Sequence, residues 1–310
     1  MMCLTTPEVR QTSVFTRLPD RFRAPDRHNA WATANRGGQL TDSFLEGPVW
    51  HPSGCLYLTD IPYGRIFRVD MAGNWDIVVQ YDGEPNGMKL VGPETLLITD
   101  YRHGLMKLCL KTQKITPWLS RRNSESFRGV NDLTPDSRGN LYFTDQGQTG
   151  LHDPTGRVYR LSQEGRLDIL LDNCPSPNGL VLSPDEKVLY VAMTRGNAIW
   201  RVPLQRDGSV SKVGQYFTSH GPSGPDGLAM NAHGELLIAN PGLGRVWLLN
   251  DLAEPAEILT SPAGRSTTNL CFGGENLQQL FITESVSGSI LTCSMKTPGH
   301  PLPFLSTDFL

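Results

Sequence analysis

No apolar stretch in this 310-residue chain approaches the ~20 residues that a membrane-spanning helix needs. No basic run stands out either, and the formal net charge is −3. Nucleic-acid binding, which relies on a positive patch that displaces counterions, is therefore disfavoured. Residues 1–10 hold no apolar core, so they do not read as a secretory signal. Cysteine is sparse: Cys3, Cys55, Cys109, Cys174, Cys271 and Cys293 show no CxxC spacing. Three of them, Cys55, Cys109 and Cys293, lie in apolar, strand-like contexts. Small core residues in a reducing cytoplasm are expected, rather than disulfides or a zinc cluster. Helical periodicity of any length is absent.

What the chain has instead is turns and short apolar strands. It carries 31 glycines and 23 prolines, a composition that suits many strands joined by tight turns. Residues 1–40 read as an N-terminal extension. Residues 12–18 form a candidate strand, and residues 21–38 a polar loop that covers one mouth of the fold. From Leu45 onward a unit of about 40–48 residues recurs six times, the length of a propeller blade. Each unit has an apolar strand and a Gly- or Asp-containing turn such as Pro52-Ser53-Gly54. A second apolar strand follows, then a loop, then a third strand that alternates in the manner of Arg65-Ile66-Phe67-Arg68-Val69. Segments such as residues 75–80 and 167–171 supply a fourth strand. The expected architecture is all-β: a single-domain six-bladed β-propeller over residues 41–310 with a central tunnel. The strand near Val14 and Phe15 completes the last blade and removes its open edge.

Aligning the six units produces one informative column: Glu46, Asn86, Asn131, Asn178, Asp226 and Asn269. Rotation about a propeller axis relates these positions, so side chains that face the axis converge on one end of the tunnel. Every member offers a carbonyl or carboxylate oxygen, and none is aliphatic, Lys or Arg. Asn-Gly and Asp-Gly are common turn pairs, but Glu46 is a poor turn residue and the six stand in register. Two carboxylates brought together need a cation or protons. Glu46 and Asp226 supply two negative charges, and Asn oxygens add neutral donors. All-oxygen coordination points to one hard divalent metal, Ca2+ first and then Mn2+ or Mg2+, with Zn2+ or Fe2+ as further alternatives.

The neighbouring column reads Gly47, Gly87, Asp132, Gly179, Gly227 and Leu270. Asp132 breaks its pattern and is a candidate for substrate hydroxyls, a clamp behind the metal, or a local turn bond. A third column, Asp60, Asp100, Asp145, Thr194, Asn240 and Glu284, ends the second strands and either lines the cavity or caps the blades. Loop residues Tyr101, Arg102, His103 and Gln146 are weaker candidates. The seven histidines are scattered, and His220, upstream of Asp226, offers a weak catalytic pair.

The motifs Leu45-Glu46-Gly47-Pro48-Val49-Trp50, Val130-Asn131-Asp132, Pro177-Asn178-Gly179-Leu180, Pro225-Asp226-Gly227-Leu228 and Thr268-Asn269-Leu270-Cys271-Phe272-Gly273-Gly274 jointly resemble the gluconolactonase/regucalcin (senescence marker protein) family, over about residues 40–295. The resemblance implies a six-bladed propeller with one divalent metal, usually calcium. The family's ligands match Glu46, Asn178 and Asp226, and Asn131 binds metal or substrate. It also implies hydrolysis of a sugar lactone to the aldonic acid, with Asp226 as general base or nucleophile. Asn131, Asp132, Asn86 and Asn269 are then expected around the substrate. Where regucalcin-like members place an Arg two residues before the third-blade Asn, this chain has Gly129, with Arg128 one residue earlier as the candidate contact. A small-molecule lactone is the expected partner, and the chain is expected as a monomer or small homo-oligomer. Hydrolysis of phosphotriesters or other esters on the same metal, and a non-enzymatic calcium-binding propeller, are the competing readings.

Overall fold

The structure, a computed structural model, describes residues 6–305; Cys3 lies outside them. Six four-stranded antiparallel blades follow one another around an axis. Their innermost strands are Leu45–His51, Pro85–Gly92, Val130–Pro135, Pro177–Leu182, Leu228–Met230 and Thr267–Gly273. Each innermost strand touches that of the next blade, and the sixth returns to the first.

Alternation in the strands explains why the blades stack. In the second strand of blade 1, Cys55–Asp60, Leu56 and Leu58 point into the core shared with blade 6, while Cys55 and Tyr57 point into the core shared with blade 2. Successive side chains leave a strand on opposite faces, so a strand apolar at every position buries both. The same logic produces six apolar cores, one between each pair of neighbouring blades. All five described cysteines are free, and Cys55, Cys174 and Cys293 are buried among these cores.

Closure is made by the N-terminal segment. Ser13–Arg17 pairs antiparallel with Ser289–Ser294 as the outer strand of blade 6. Just before it, Glu8–Gln11 runs parallel to Pro255–Thr260 as a fifth strand of blade 5. Residues 8–17 therefore bind two blades at once and share the sheets of the propeller. Phe15 meets Phe281 edge-on at 5.5 Å between ring centres, and Phe281 stacks on Trp50 of blade 1 at 5.8 Å.

The polar loop expected over residues 21–38 is only partly a loop. Ala30–Arg36 is an α-helix. The Asn29 side chain caps it by accepting a hydrogen bond from Ala32 N at 2.7 Å, and Gly37 ends it in the left-handed conformation at φ 60°. Two turns are too short to show helical periodicity in sequence. Trp31 anchors the helix on Phe44 and Ile61, above blade 1. Among the described residues no helix is long and apolar enough to cross a membrane.

At the opposite end of the tunnel Val49, Lys89, Thr134, Val181, Ala229 and Cys271, one from each blade, surround a cavity of about 270 Å3. The C-terminal segment crosses that end, with His300 N donating to Met230 O and Leu305 N to Val91 O.

Phe281 is fully buried at the seam between the last blade and the first. Replacing it with Ala is expected to cost about 3–5 kcal/mol, read from a urea unfolding curve; a loss below ~1 kcal/mol would show that the seam does not hold the ring closed.

Candidate active site

Five of the six oxygen-bearing residues of the first column lie near the start of their inner strands, and Asp226 lies two residues before that of blade 5. Two recurring devices set them there. The first is the strand-end column, which caps rather than lines the cavity. Asp60 accepts from Phe44 N at 2.7 Å, Asp100 from Glu84 N at 2.9 Å, Asp145 from Gly129 N at 2.8 Å and Glu284 from Ser266 N at 2.8 Å. Asn240 reaches the same segment of blade 5 by donating to Gly224 O at 3.0 Å. In each case the side chain holds the backbone that leads into its own inner strand.

The second device joins neighbours. Thr59 donates to Asn86 O at 2.7 Å, Thr99 to Asn131 O, and Thr144 to Asn178 O at 2.8 Å. Thr194 donates to Pro225 O at 2.8 Å, and Ser285 closes the circle on Leu45 O at 2.6 Å. Between blades 5 and 6 a backbone bond, Gly227 N to Thr268 O at 2.8 Å, takes this place. The Thr-Asp pair ending the second strands of blades 1, 2 and 3 was the readable sign of both devices; in blade 6 Thr283 donates to Asn269 O of its own blade, and Ser285 makes the bond to the neighbour.

Glycine in the neighbouring column lets the strands come this close. A Cβ on Gly47 would lie 2.2 Å from Asn86 O, and one on Gly179 would lie 2.3 Å from Asp226 O. Any other residue there would push the ring apart.

Glu46 is buried, and its Oε2 accepts from Gly47 N at 2.7 Å and from Asn269 Nδ2 at 2.8 Å. Burial pushes its carboxyl up to about 7, partly opposed by those hydrogen bonds. Asp226 is raised well above the usual carboxylate range, first by burial and then by the charges of Glu46 and Asp132; a hydrogen bond from Asn178 and the charge of Arg195 act the other way. Two carboxylates that hinder each other's ionisation need positive charge between them or protons on them. Among the described residues no group of three His, Cys, Asp or Glu side chains is set to hold a metal. The donor set is instead two carboxylates with amide oxygens, which fits a hard divalent cation and not zinc held by His or Cys.

The other expected site residues divide. Asn131 Nδ2 donates to Gln146 Oε1 at 2.9 Å, and Gln146 Nε2 passes on to Ser176 Oγ at 2.9 Å. This chain runs from the ring into the wall of a cavity of about 480 Å3 at the mouth, where Asn35, Gln148, His152 and Arg195 also stand. Gln148 Nε2 donates to both Asn35 Oδ1 and Tyr101 OH, at 3.0 and 2.8 Å, so the short helix and the loop after blade 3's second strand meet over the mouth. Asn86 is buried in its ring position.

Three of the residues expected around a substrate have protein partners in the structure. Asn269 uses its amide on Glu46 and on Leu270 N, where its Oδ1 accepts at 2.8 Å, so it orients Glu46. Asp132 lies away from the mouth, buried, accepting from Lys89 Nζ at 3.1 Å and Leu133 N at 2.8 Å; its Oδ2 has no hydrogen-bond partner among the described residues. Gly87 leaves room for it, since a Cβ there would sit 2.4 Å from Asp132 Oδ1. Arg128 turns outward and donates to Thr155 Oγ1. The position that precedes Asn131 by two, Gly129 at φ 149°, is covered by the Tyr101 ring, 2.3 Å from where a Cβ would lie, so a side chain there would displace the ring. Arg102 and His103 bind Asp82 instead of the mouth, and His220 is exposed with no hydrogen bond to Asp226. Gln148, Ser176 and Arg195 were missed as residues of the mouth, because each stands one to three positions from a column that drew attention for another reason.

Residues 44–286 match the SMP-30/gluconolactonase/LRE-like region. The chain belongs to that family. A gluconolactonase of Zymomonas mobilis is 30% identical over 287 residues, covering 82% of this chain and 79% of the relative. Lactonase drp35 of Staphylococcus epidermidis is 30% identical over 233 residues, 70% of each chain. A solved structure of regucalcin, a calcium-binding protein from Agrobacterium tumefaciens, matches with a TM-score of 0.78 at 20% identity, covering 97% of this chain and 100% of that one. It has the same fold as this member of the family.

Lys89 and Asp132 form a largely buried ion pair. Lys89→Met alone leaves an uncompensated buried carboxylate and is expected to destabilise by about 3–5 kcal/mol, whereas adding Asp132→Asn should recover at least half of the loss. Chemical denaturation of the two single variants and the double variant measures the coupling; additive losses would show that the pair is not a unit.

Proposed function

We propose that this protein is a metal-dependent lactonase that opens a sugar lactone to the aldonic acid at the mouth of the tunnel. The observation that carries the reading is the pair of buried carboxylates, Glu46 and Asp226, each raised by burial and by negative neighbours, in a ring otherwise built of amides. Glu46, Asn178 and Asp226 would hold one divalent cation, with Asn131 at the cavity side. The family's gluconolactonase and lactonase relatives support a lactone as substrate. Calcium is the first choice, on the all-oxygen donor set and on the calcium-binding description of the regucalcin structure. Bound there, the cation would neutralise the two carboxylates and polarise the lactone carbonyl.

The chain's own residues then have distinct tasks. Asn269 and Gly47 N fix Glu46, so its carboxylate does not rotate away. Asn131, held by Gln146, presents its amide to the substrate side. Asp226 is the reactive group. As a base, its carboxylate takes a proton from water while the water oxygen bonds to the carbonyl carbon; the ring C–O bond then breaks and the ring oxygen leaves as a hydroxyl, protonated in turn. As a nucleophile, the Asp226 oxygen itself bonds to that carbon, the ring C–O bond breaks with the ring oxygen leaving as a hydroxyl, and water later hydrolyses the resulting mixed anhydride.

Asp226→Asn is expected to lower kcat for an aldonolactone at least 1,000-fold while leaving the circular dichroism spectrum and unfolding midpoint near wild type; a fully active variant would remove Asp226 from the chemistry. Chelation should abolish acid release, and Ca2+ should restore it. A panel that includes phosphotriesters decides the substrate class, since faster turnover of these would replace the lactonase reading with an esterase of another kind. A single turnover in 18O-labelled water separates the two roles, because only a nucleophilic Asp226 puts its own oxygen into the first product.

A further inference from the structure

We propose that the mouth cavity selects lactones bearing a second, ionised carboxylate, and that Arg195 binds that group. The inference rests on the lactonase reading and names the substrate class within it. The cavity, about 480 Å3, falls within the ~300–1,000 Å3 of small-molecule sites. Its wall contains no Asp or Glu: the polar side chains are amides, hydroxyls, His152 and Arg195. Most of these are already tied to one another. Gln146 bridges Asn131 and Ser176, Gln148 bridges Asn35 and Tyr101, and Thr149 Oγ1 donates to Gln146 O at 2.6 Å. They shape a rigid surface but keep little capacity for a charged ligand.

Arg195 differs from them. It follows Thr194, the residue whose hydroxyl locks blade 4 onto the Pro225 carbonyl, so its backbone is held by the same bond that positions Asp226. The loop after blade 3's second strand packs beside it, a Cβ on Gly150 lying 3.5 Å from Arg195 Cβ and 3.1 Å from His152 Nδ1. Among the described residues no carboxylate lies within ion-pair distance of Arg195. Arg65, Arg102 and Arg160 are paired with carboxylates, and Arg36 and Arg128 are tied to neutral side chains. A guanidinium anchored at its base, unpaired at its tip and facing a cavity without acids is arranged to take a bidentate partner from solution. The reacting ester sits at the ring beside Asn131 and Asp226, so the group read by Arg195 belongs to the far end of the same substrate.

The test compares wild type, Arg195→Gln and Arg195→Lys on three lactones at neutral pH: a glucarolactone, which carries the free carboxylate, gluconolactone, which is neutral, and a 6-phosphogluconolactone. Wild type should turn over the glucarolactone with a kcat/KM at least tenfold above that of gluconolactone. Arg195→Gln should raise the KM for glucarolactone tenfold or more beyond any change on gluconolactone, with Arg195→Lys intermediate. Equal effects on the two, or none, would overturn the proposal, as would a larger dependence on Arg195 for the phosphorylated lactone. Calorimetric binding of the open products glucarate and gluconate gives a readout without turnover. If no lactone is hydrolysed, the lactonase reading fails by itself; if glucarate nevertheless binds wild type at least tenfold better than Arg195→Gln does, the anion site stands, and if it does not, the site falls as well.

Discussion

The hydrogen bond that ties each blade to its neighbour near the axis, made by a lent hydroxyl at five of the six junctions, is the interaction on which the rest of the molecule depends. Thr59, Thr99, Thr144, Thr194 and Ser285 each donate to a main-chain carbonyl at or beside the ring residue of the following blade. One such bond contributes only about 1 kcal/mol net, and the apolar cores between blades supply far more of the stability. The bonds act on geometry instead. They hold the backbone of six different strands against one another near the axis, and glycine in four blades removes the side chain that would prevent it. A core of leucines and phenylalanines tolerates small sliding, whereas a short hydrogen bond to a carbonyl does not.

That backbone precision has an electrostatic consequence. Glu46 and Asp226 are held in a buried ring, where burial disfavours their charged forms, the charge of Glu46 raises Asp226 further, and the charge of Asp132 raises both. A protein gains nothing in stability from such an arrangement, because buried like charges cost free energy unless something compensates them. Asn269, Asn178 and the Gly47 amide offset part of this cost while leaving the pair open to a cation. Asp132 shows a different solution a short distance away: its carboxylate is matched by Lys89, and the pair belongs to the scaffold.

The fold was legible in the sequence because propeller blades repeat. Six copies of one grammar gave six chances to see alternating strands and turn residues, and the expected closing strand near Val14 and Phe15 is present at Ser13–Arg17. The ring was legible for the same reason, since rotation maps one column of the alignment onto one level of the tunnel. The helix Ala30–Arg36 was not, because it occurs once and is too short to show a period; its capping residues, Asn29 and Gly37, were the only local sign. Arg128 is a different case. It was expected as a contact because it adjoins the position where regucalcin-like members carry an Arg; here its side chain donates to Thr155 Oγ1, and the Tyr101 ring covers Gly129.

Sequence by itself determined the all-β repeat, the six oxygen-bearing positions and their lack of His, Cys, Lys or Arg. These are properties of residue type at a fixed period, and a regular fold transmits them without loss. Tertiary structure alone decided what each position does with its oxygen. Asn269 serves Glu46, Asn131 serves the mouth, Asp132 serves Lys89, and Arg195 stands unpaired in a wall without acids. Those assignments depend on which side chain from another blade or loop lies within hydrogen-bonding distance. Such contacts join residues 15 to 223 positions apart, a separation over which local sequence carries no information.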